Sequence, residues 1–95
     1  MATLHIEHAV ADFETWRAAF DRFAEVRATS GVRRQRIQRP VDDSHFVVLE
    51  LDFDTADDAR RFLHFLETTV WTTRESSPAL VGMPRTQILE LVTTS

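Results

Sequence analysis

Four histidines, at positions 5, 8, 45 and 64, are the only side chains of this 95-residue sequence that ordinarily exchange a proton near neutral pH. Few other reactive parts are present. There is no Cys, Lys, Asn or Tyr, and all eleven positive charges are Arg. Thiolate nucleophiles, Cys-based zinc centres, Schiff-base lysines, phenolic acids and an Asn oxyanion hole are thereby excluded. Composition prunes without naming a reaction; one chemistry the histidines allow is general-base catalysis by an imidazole, which requires an apolar cavity and one well-placed base. Trp16 and Trp71 are the large aromatic surfaces able to wall such a cavity.

The elements must bring these groups together. Leu4, Ile6, His8 and Val10 alternate with Thr3, His5, Glu7 and Ala9, the period-two pattern of a strand that carries His8 on its apolar face and turns His5 and Glu7 away from it. From Asp12 the period becomes helical, with Phe13, Trp16, Phe20, Phe23 and Ala24 on one stripe that closes at Thr29-Ser30-Gly31. Val32 to Arg39 reads as a second strand, Pro40 to Asp43 as a turn, and His45 to Phe53 as a central strand. Thr55 caps a second helix whose stripe is Ala59, Phe62, Leu63, Leu66 and Val70. The Thr pairs around Trp71 are poor helix formers, so the helical pattern fades there. Ala79 to Pro84 reads as connecting chain and Arg85 to Val92 as a fourth strand.

The order βαββαβ is the ferredoxin-like plan, an α+β fold with a four-stranded antiparallel sheet and both helices on one face. On this plan His8 lies beneath the helices, and His45 joins it if it shares the face of Val47, Leu49 and Leu51. His8 and His45 are the catalytic candidates, with Trp16, His64 and Trp71 as pocket walls and lid. Each also has a structural alternative: Trp16 belongs to the core stripe, His64 sits off it, and Trp71 suits a core, a pocket mouth or a dimer contact equally.

The opposite face of the sheet is bare. It carries Phe46 and Val48 together with His5, Glu7, Arg34, Arg36 and Glu50, and a chain of this length has only a thin core of its own. A homodimer that pairs two such faces is expected, with Arg34 or Arg36 reaching Glu50 across the second and third strands. His5 and Glu7 offer two metal ligands without a third, so no metal is expected. A hydrophobic content of 43% and a charged content of 27% fit one soluble domain over residues 1–95. The net charge of −4 argues against nucleic acid as a partner. No run approaches the ~20 apolar residues of a membrane span, the N-terminus lacks the pattern of a signal peptide, and cytoplasmic residence is expected.

The segments TLHIEHAV, ADFETWRAAFDRF, HFVVLELDFDT, ADDARRFLHFL and TQILELV resemble the dimeric α+β barrel superfamily, which includes the antibiotic-biosynthesis monooxygenases. The patterns V-x-DF-x-x-W-x-x-x-F and F-D-T-x-x-D-A-x-x-F carry the likeness, and both bear on fold. The resemblance implies two sheets packed into a shared barrel and a small-molecule pocket in each subunit. Members include cofactor-independent oxygenases of polycyclic aromatic substrates, haem-degrading enzymes and isomerases. The haem-degrading members use an Asn with a Trp and a helix-borne His, and the polycyclic oxygenases an Asn, a Trp and tyrosines. This chain has the tryptophans but neither Asn nor Tyr. Two readings follow. One is an oxygenase without a cofactor, in which a histidine removes a proton from an aromatic or enolic substrate and the carbanion meets oxygen directly. The other is a non-catalytic dimeric binding or accessory module. The enzyme reading expects a cavity of at least roughly 300 Å³ reached by a histidine.

Overall fold

A computed structural model describes residues 1–94. Its elements are β1 (Ala2–Val10), α1 (Phe13–Arg22), α2 (Ala24–Thr29), β2 (Arg34–Gln38), β3 (Phe46–Phe53), α3 (Ala56–Phe65), a π-helical turn (Leu66–Val70) and β4 (Leu80–Glu90). The strands form one antiparallel sheet in the order β2-β3-β1-β4, the expected ferredoxin-like α+β architecture.

Alternation decides what each strand buries. Along β1 every even-numbered residue from Ala2 to Val10 is buried and every odd one half-buried. Leu4, Ile6 and Val10 meet Val47, Leu49, Leu51 and Phe53 of β3 in one core, closed from above by Trp16, Ala59, Phe62, Leu66 and Val70. Local chemistry starts both main helices. Asp12 accepts hydrogen bonds from the Thr15 backbone N–H at 2.9 Å and the Thr15 hydroxyl at 2.7 Å, and Thr55 Oγ1 accepts the Asp58 N–H at 3.1 Å. Each cap satisfies a backbone donor that the first turn leaves open.

Besides β3, which begins at Phe46 rather than His45, three elements differ from the sequence reading. The first helix is not continuous: Phe23, at φ −100° and ψ 15°, divides it into α1 and α2. β2 is shorter than Val32–Arg39 at both ends. β4 begins at Leu80 rather than Arg85, and Leu91 and Val92 lie exposed beyond its end. A bulge hides that early start. Glu7 pairs with Arg85 but Ala9 with Val81, and the extra chain passes through Gly82 at φ +71°. A Gly and a Pro inside one run read as loop, yet a bulge is where a strand accommodates both.

The bare face carries a polar centre and an apolar end. Arg36 of β2 donates from Nε to Glu50 Oε1 at 3.2 Å, and from Nη1 and Nη2 to the two oxygens of Asp52 at 2.9 and 3.0 Å. Thr3 Oγ1 donates to Asp52 Oδ1 at 2.7 Å. His5 lies between Glu50 and Glu7, with a ring nitrogen 3.1 Å from each carboxylate. Arg36, which stands directly opposite Glu50, is thus the arginine that reaches it; Arg34 stands opposite Asp52 and is exposed. At the other end, Phe46, Val48 and Ala9 are half-buried and Val81 exposed, all adjoining in register.

Candidate functional site

Between the helices and the sheet lies a partly open cavity of about 70 Å³, apolar on most of its wall. β1 contributes Ile6 and His8 to it, β3 contributes Leu49 and Leu51, and α1 contributes Trp16 and Phe20. Trp71 and the segment Ser76 to Leu80 also line it.

The strand alternation that buries Leu4 and Val10 also places His8 at the cavity, with only 5% of the residue exposed. Its Nδ1 lies 3.0 Å from the Ala9 carbonyl oxygen. A carbonyl only accepts, so Nδ1 carries the proton and Nε2 presents a lone pair. No hydrogen-bond partner for Nε2 exists among the described residues. Burial pushes the imidazole pKa below its ordinary value, and the bond to Ala9 offsets this in part. The ring is therefore held neutral in one tautomer, the state a general base needs before it acts.

Trp16 follows from the helical stripe of α1. Its ring centroid is 5.9 Å from that of His8, and it stacks on Phe20 at 5.0 Å with 19° between the planes. Trp71 comes from the π-helical turn: its N–H donates to the Leu66 carbonyl five residues back, at 2.8 Å. This wider turn rotates the side chain after α3, and Trp71 joins the cavity wall, half-buried. Ser77 Oγ donates to the Val70 carbonyl at 2.7 Å and holds the Ser76–Leu80 segment against the turn.

Two candidates lie elsewhere. His45 precedes β3 in a turn, where its N–H donates to Asp43 Oδ1 at 2.9 Å, and it is exposed. Its carbonyl still accepts the Val10 N–H at 2.8 Å, but at this outer end of the sheet His45 does not line the cavity. His64 is exposed on the outer side of α3 and likewise does not line the cavity. The structure brings together His8, Trp16 and Trp71 and leaves these two histidines outside.

A residue not singled out from sequence joins them. Arg27 of α2 is 5% exposed and lines the cavity. Its Cζ lies 3.5 Å from the centroid of the Phe20 ring. The signal for it was slight: Arg27 falls four residues after Phe23, on the stripe of the buried aromatics, where a cation is out of place. No cluster of three or more metal-ligating side chains occurs among the described residues.

No family model and no curated protein matches the sequence. Solved structures do. SnoaB, a cofactor-independent oxygenase from Streptomyces nogalater, superposes with a TM-score of 0.75 at 18% identity, covering 98% of this chain and 94% of that one. A Nitrosomonas europaea protein described as a candidate antibiotic biosynthesis monooxygenase gives 0.70 at 20% identity, covering 98% and 100%. A dimeric ferredoxin-like protein from an uncultured marine organism gives 0.72 at 12% identity, covering 99% and 97%. At these identities the likeness speaks to architecture, and the chain shares, over nearly its whole length, the ferredoxin-like fold of antibiotic-biosynthesis-monooxygenase-like proteins.

Proposed function

We propose that this protein is a cytoplasmic homodimer whose subunits each bind a small hydrophobic or aromatic ligand in the cavity beneath the helices, and that it oxygenates an aromatic or enolic substrate without a cofactor. One observation carries this reading. A buried histidine is tied at Nδ1, open at Nε2, and set beside a tryptophan in the wall of an apolar cavity.

In the reaction His8 Nε2 takes a proton from an activated CH₂ group of the substrate. The apolar surroundings favour a delocalised carbanion over a localised charge. That carbanion reacts with O₂ to give a hydroperoxide, which loses water to leave a carbonyl: CH₂ and O₂ become C=O and H₂O. Trp16 supplies a flat surface for the substrate ring.

The volume of about 70 Å³ falls well below the roughly 300 Å³ of common ligand pockets. A polycyclic ligand therefore enters only as the mouth widens, by displacement of Trp71 and of the Ser76–Leu80 segment. The likeness to SnoaB, described as a cofactor-independent oxygenase, and to a dimeric ferredoxin-like protein supports the reaction class and the dimer. The small cavity favours the second reading, a non-catalytic binding module. Oxygen uptake with a panel of enolisable aromatic compounds separates the two: the enzyme consumes O₂ in step with product, and the module binds without consumption.

A further inference from the structure

Arg27 holds a full positive charge where charge is costly. Its Nε donates to Gln35 Oε1 at 3.0 Å, and its Nη1 to the Phe20 carbonyl at 2.5 Å. These bonds explain how it is held, since the break at Phe23 exposes carbonyls at the end of α1 that a guanidinium can cap. They leave the charge without a direct ion pair, answered only by the Phe20 ring beneath it and by the more distant Asp21. Two of five N–H donors are engaged, and among the described residues no carboxylate lies within ion-pair distance of Arg27. The buried Asp52, by contrast, is matched by Arg36 and Thr3. Among the described residues the Nη2 group has no hydrogen-bond partner, yet no fully buried polar side-chain atom lacks one. Nη2 therefore keeps some accessible surface, and Arg27 is one of the residues that line the cavity.

We propose that the cavity takes a carboxylic acid as its anion, with the carboxylate on the open edge of the Arg27 guanidinium and the apolar body along Phe20 and Trp16 toward His8. The inference rests on the reading of the cavity as a ligand site and specifies its substrate class. Three contacts define the wall: Arg27 over Phe20 at 3.5 Å, Phe20 stacked on Trp16 at 5.0 Å, and Trp16 against His8 at 5.9 Å. Cation and base thus stand at opposite ends of one aromatic surface, two rings apart. A ligand anchored at Arg27 presents its far end, not its carboxylate, to Nε2. Burial lowers the Arg27 pKa and Asp21 offsets this only in part; a bound anion opposes that penalty by supplying a direct counter-charge.

Benzoate and benzamide test this, because they share shape and differ in charge. Titration of tryptophan fluorescence at pH 7 is expected to show benzoate bound about tenfold or more tightly than benzamide, the advantage of a charge-assisted bidentate pair. In Arg27→Gln that preference disappears while benzamide affinity stays. A guanidinium serving only as a helix cap predicts equal affinities in the wild type, and that result overturns the inference while leaving the cavity reading intact. Binding of neither compound removes the cavity reading together with it. Should Arg27→Gln fail to fold, the side-chain NMR resonances of Arg27 in the wild type decide: they shift with benzoate and not with benzamide, and unmoved resonances refute the assignment.

Discussion

Replacing Arg36 with Met tests whether the polar centre of the sheet face is an integrated network or a set of incidental surface contacts. Arg36 makes three hydrogen bonds to two carboxylates, and Asp52, whose side chain is only 8% exposed, would keep Thr3 as its sole side-chain donor. A hydrogen bond to a charged group contributes about 1.5–3 kcal/mol, but Arg36 is more than one-third exposed, so solvent screening reduces the total sharply. A net loss of about 1–3 kcal/mol follows for Arg36→Met at pH 7, or roughly 4–24 °C in Tm for a domain of this size. The pH dependence carries the sharper signature. Arg36, followed by Thr3, holds Asp52 below the ordinary carboxylate range, and His5, then Arg36, does the same for Glu50. Groups with depressed native pKa values stabilise the fold above their unfolded pKa values, about 4, and lose that contribution as pH falls through the native values. Wild type and variant should therefore differ fully at pH 7 and converge as pH falls below about 4 and through the depressed native values. Urea unfolding at one fixed protein concentration, which keeps any association the same in both proteins, measures this. A difference that persists undiminished at low pH, or none at pH 7, refutes the network as the source of stability.

Other outcomes follow from the same geometry. In an NMR pH titration His8 should protonate below the ordinary histidine value, because burial lowers its pKa, and His5 above it, because Glu7 and then Glu50 raise it. The stability from keeping His8 neutral is then complete above about pH 6.5 and lost as pH falls, whereas that from His5 is present below about pH 6.5 and lost as pH rises through its native value; the reverse order of titration contradicts both placements. Val48→Asp, which puts a charge into the apolar end of the bare face, should convert a dimer in sedimentation velocity into a folded monomer, and an unchanged dimer shows that pairing occurs elsewhere. Gly82→Ala meets no atom within 4 Å but must adopt φ +71°, so it should cost about 1–2 kcal/mol from backbone strain alone; an unaltered Tm would show that the bulge relaxes.

The fold was legible where period and polarity agreed. The alternation of β1 placed His8 inside and His5 outside, and the cross-strand match of Arg36 with Glu50 needed only the hairpin around Pro40–Asp43. His45 had the same parity as Val47 and still bonds Val10 through its carbonyl, but it lies at the outer end of the sheet, past the residues that line the cavity, and parity alone does not say how far the cavity reaches. The early start of β4 was masked because Gly82 and Pro84 signal loop in isolation; the pairing of Ala9 with Val81 that retains the strand is a long-range fact. Arg27 was hidden for a similar reason. Its burial depends on the break at Phe23 and on Gln35 from β2, and neither is encoded in the local spacing. The cavity's size was also beyond local pattern, since how completely Phe20, Phe62 and Leu66 fill the space is set by packing of three elements at once.

The role of His8 is tested most directly by oxygen uptake from wild-type protein and His8→Ala with the same enolisable aromatic substrate, with tryptophan fluorescence recording binding in parallel. Loss of a general base costs about 10²–10⁴ in rate, so the variant should bind the substrate and consume oxygen at least a hundredfold more slowly. Equal rates in the two proteins would contradict the assignment of His8 as the base.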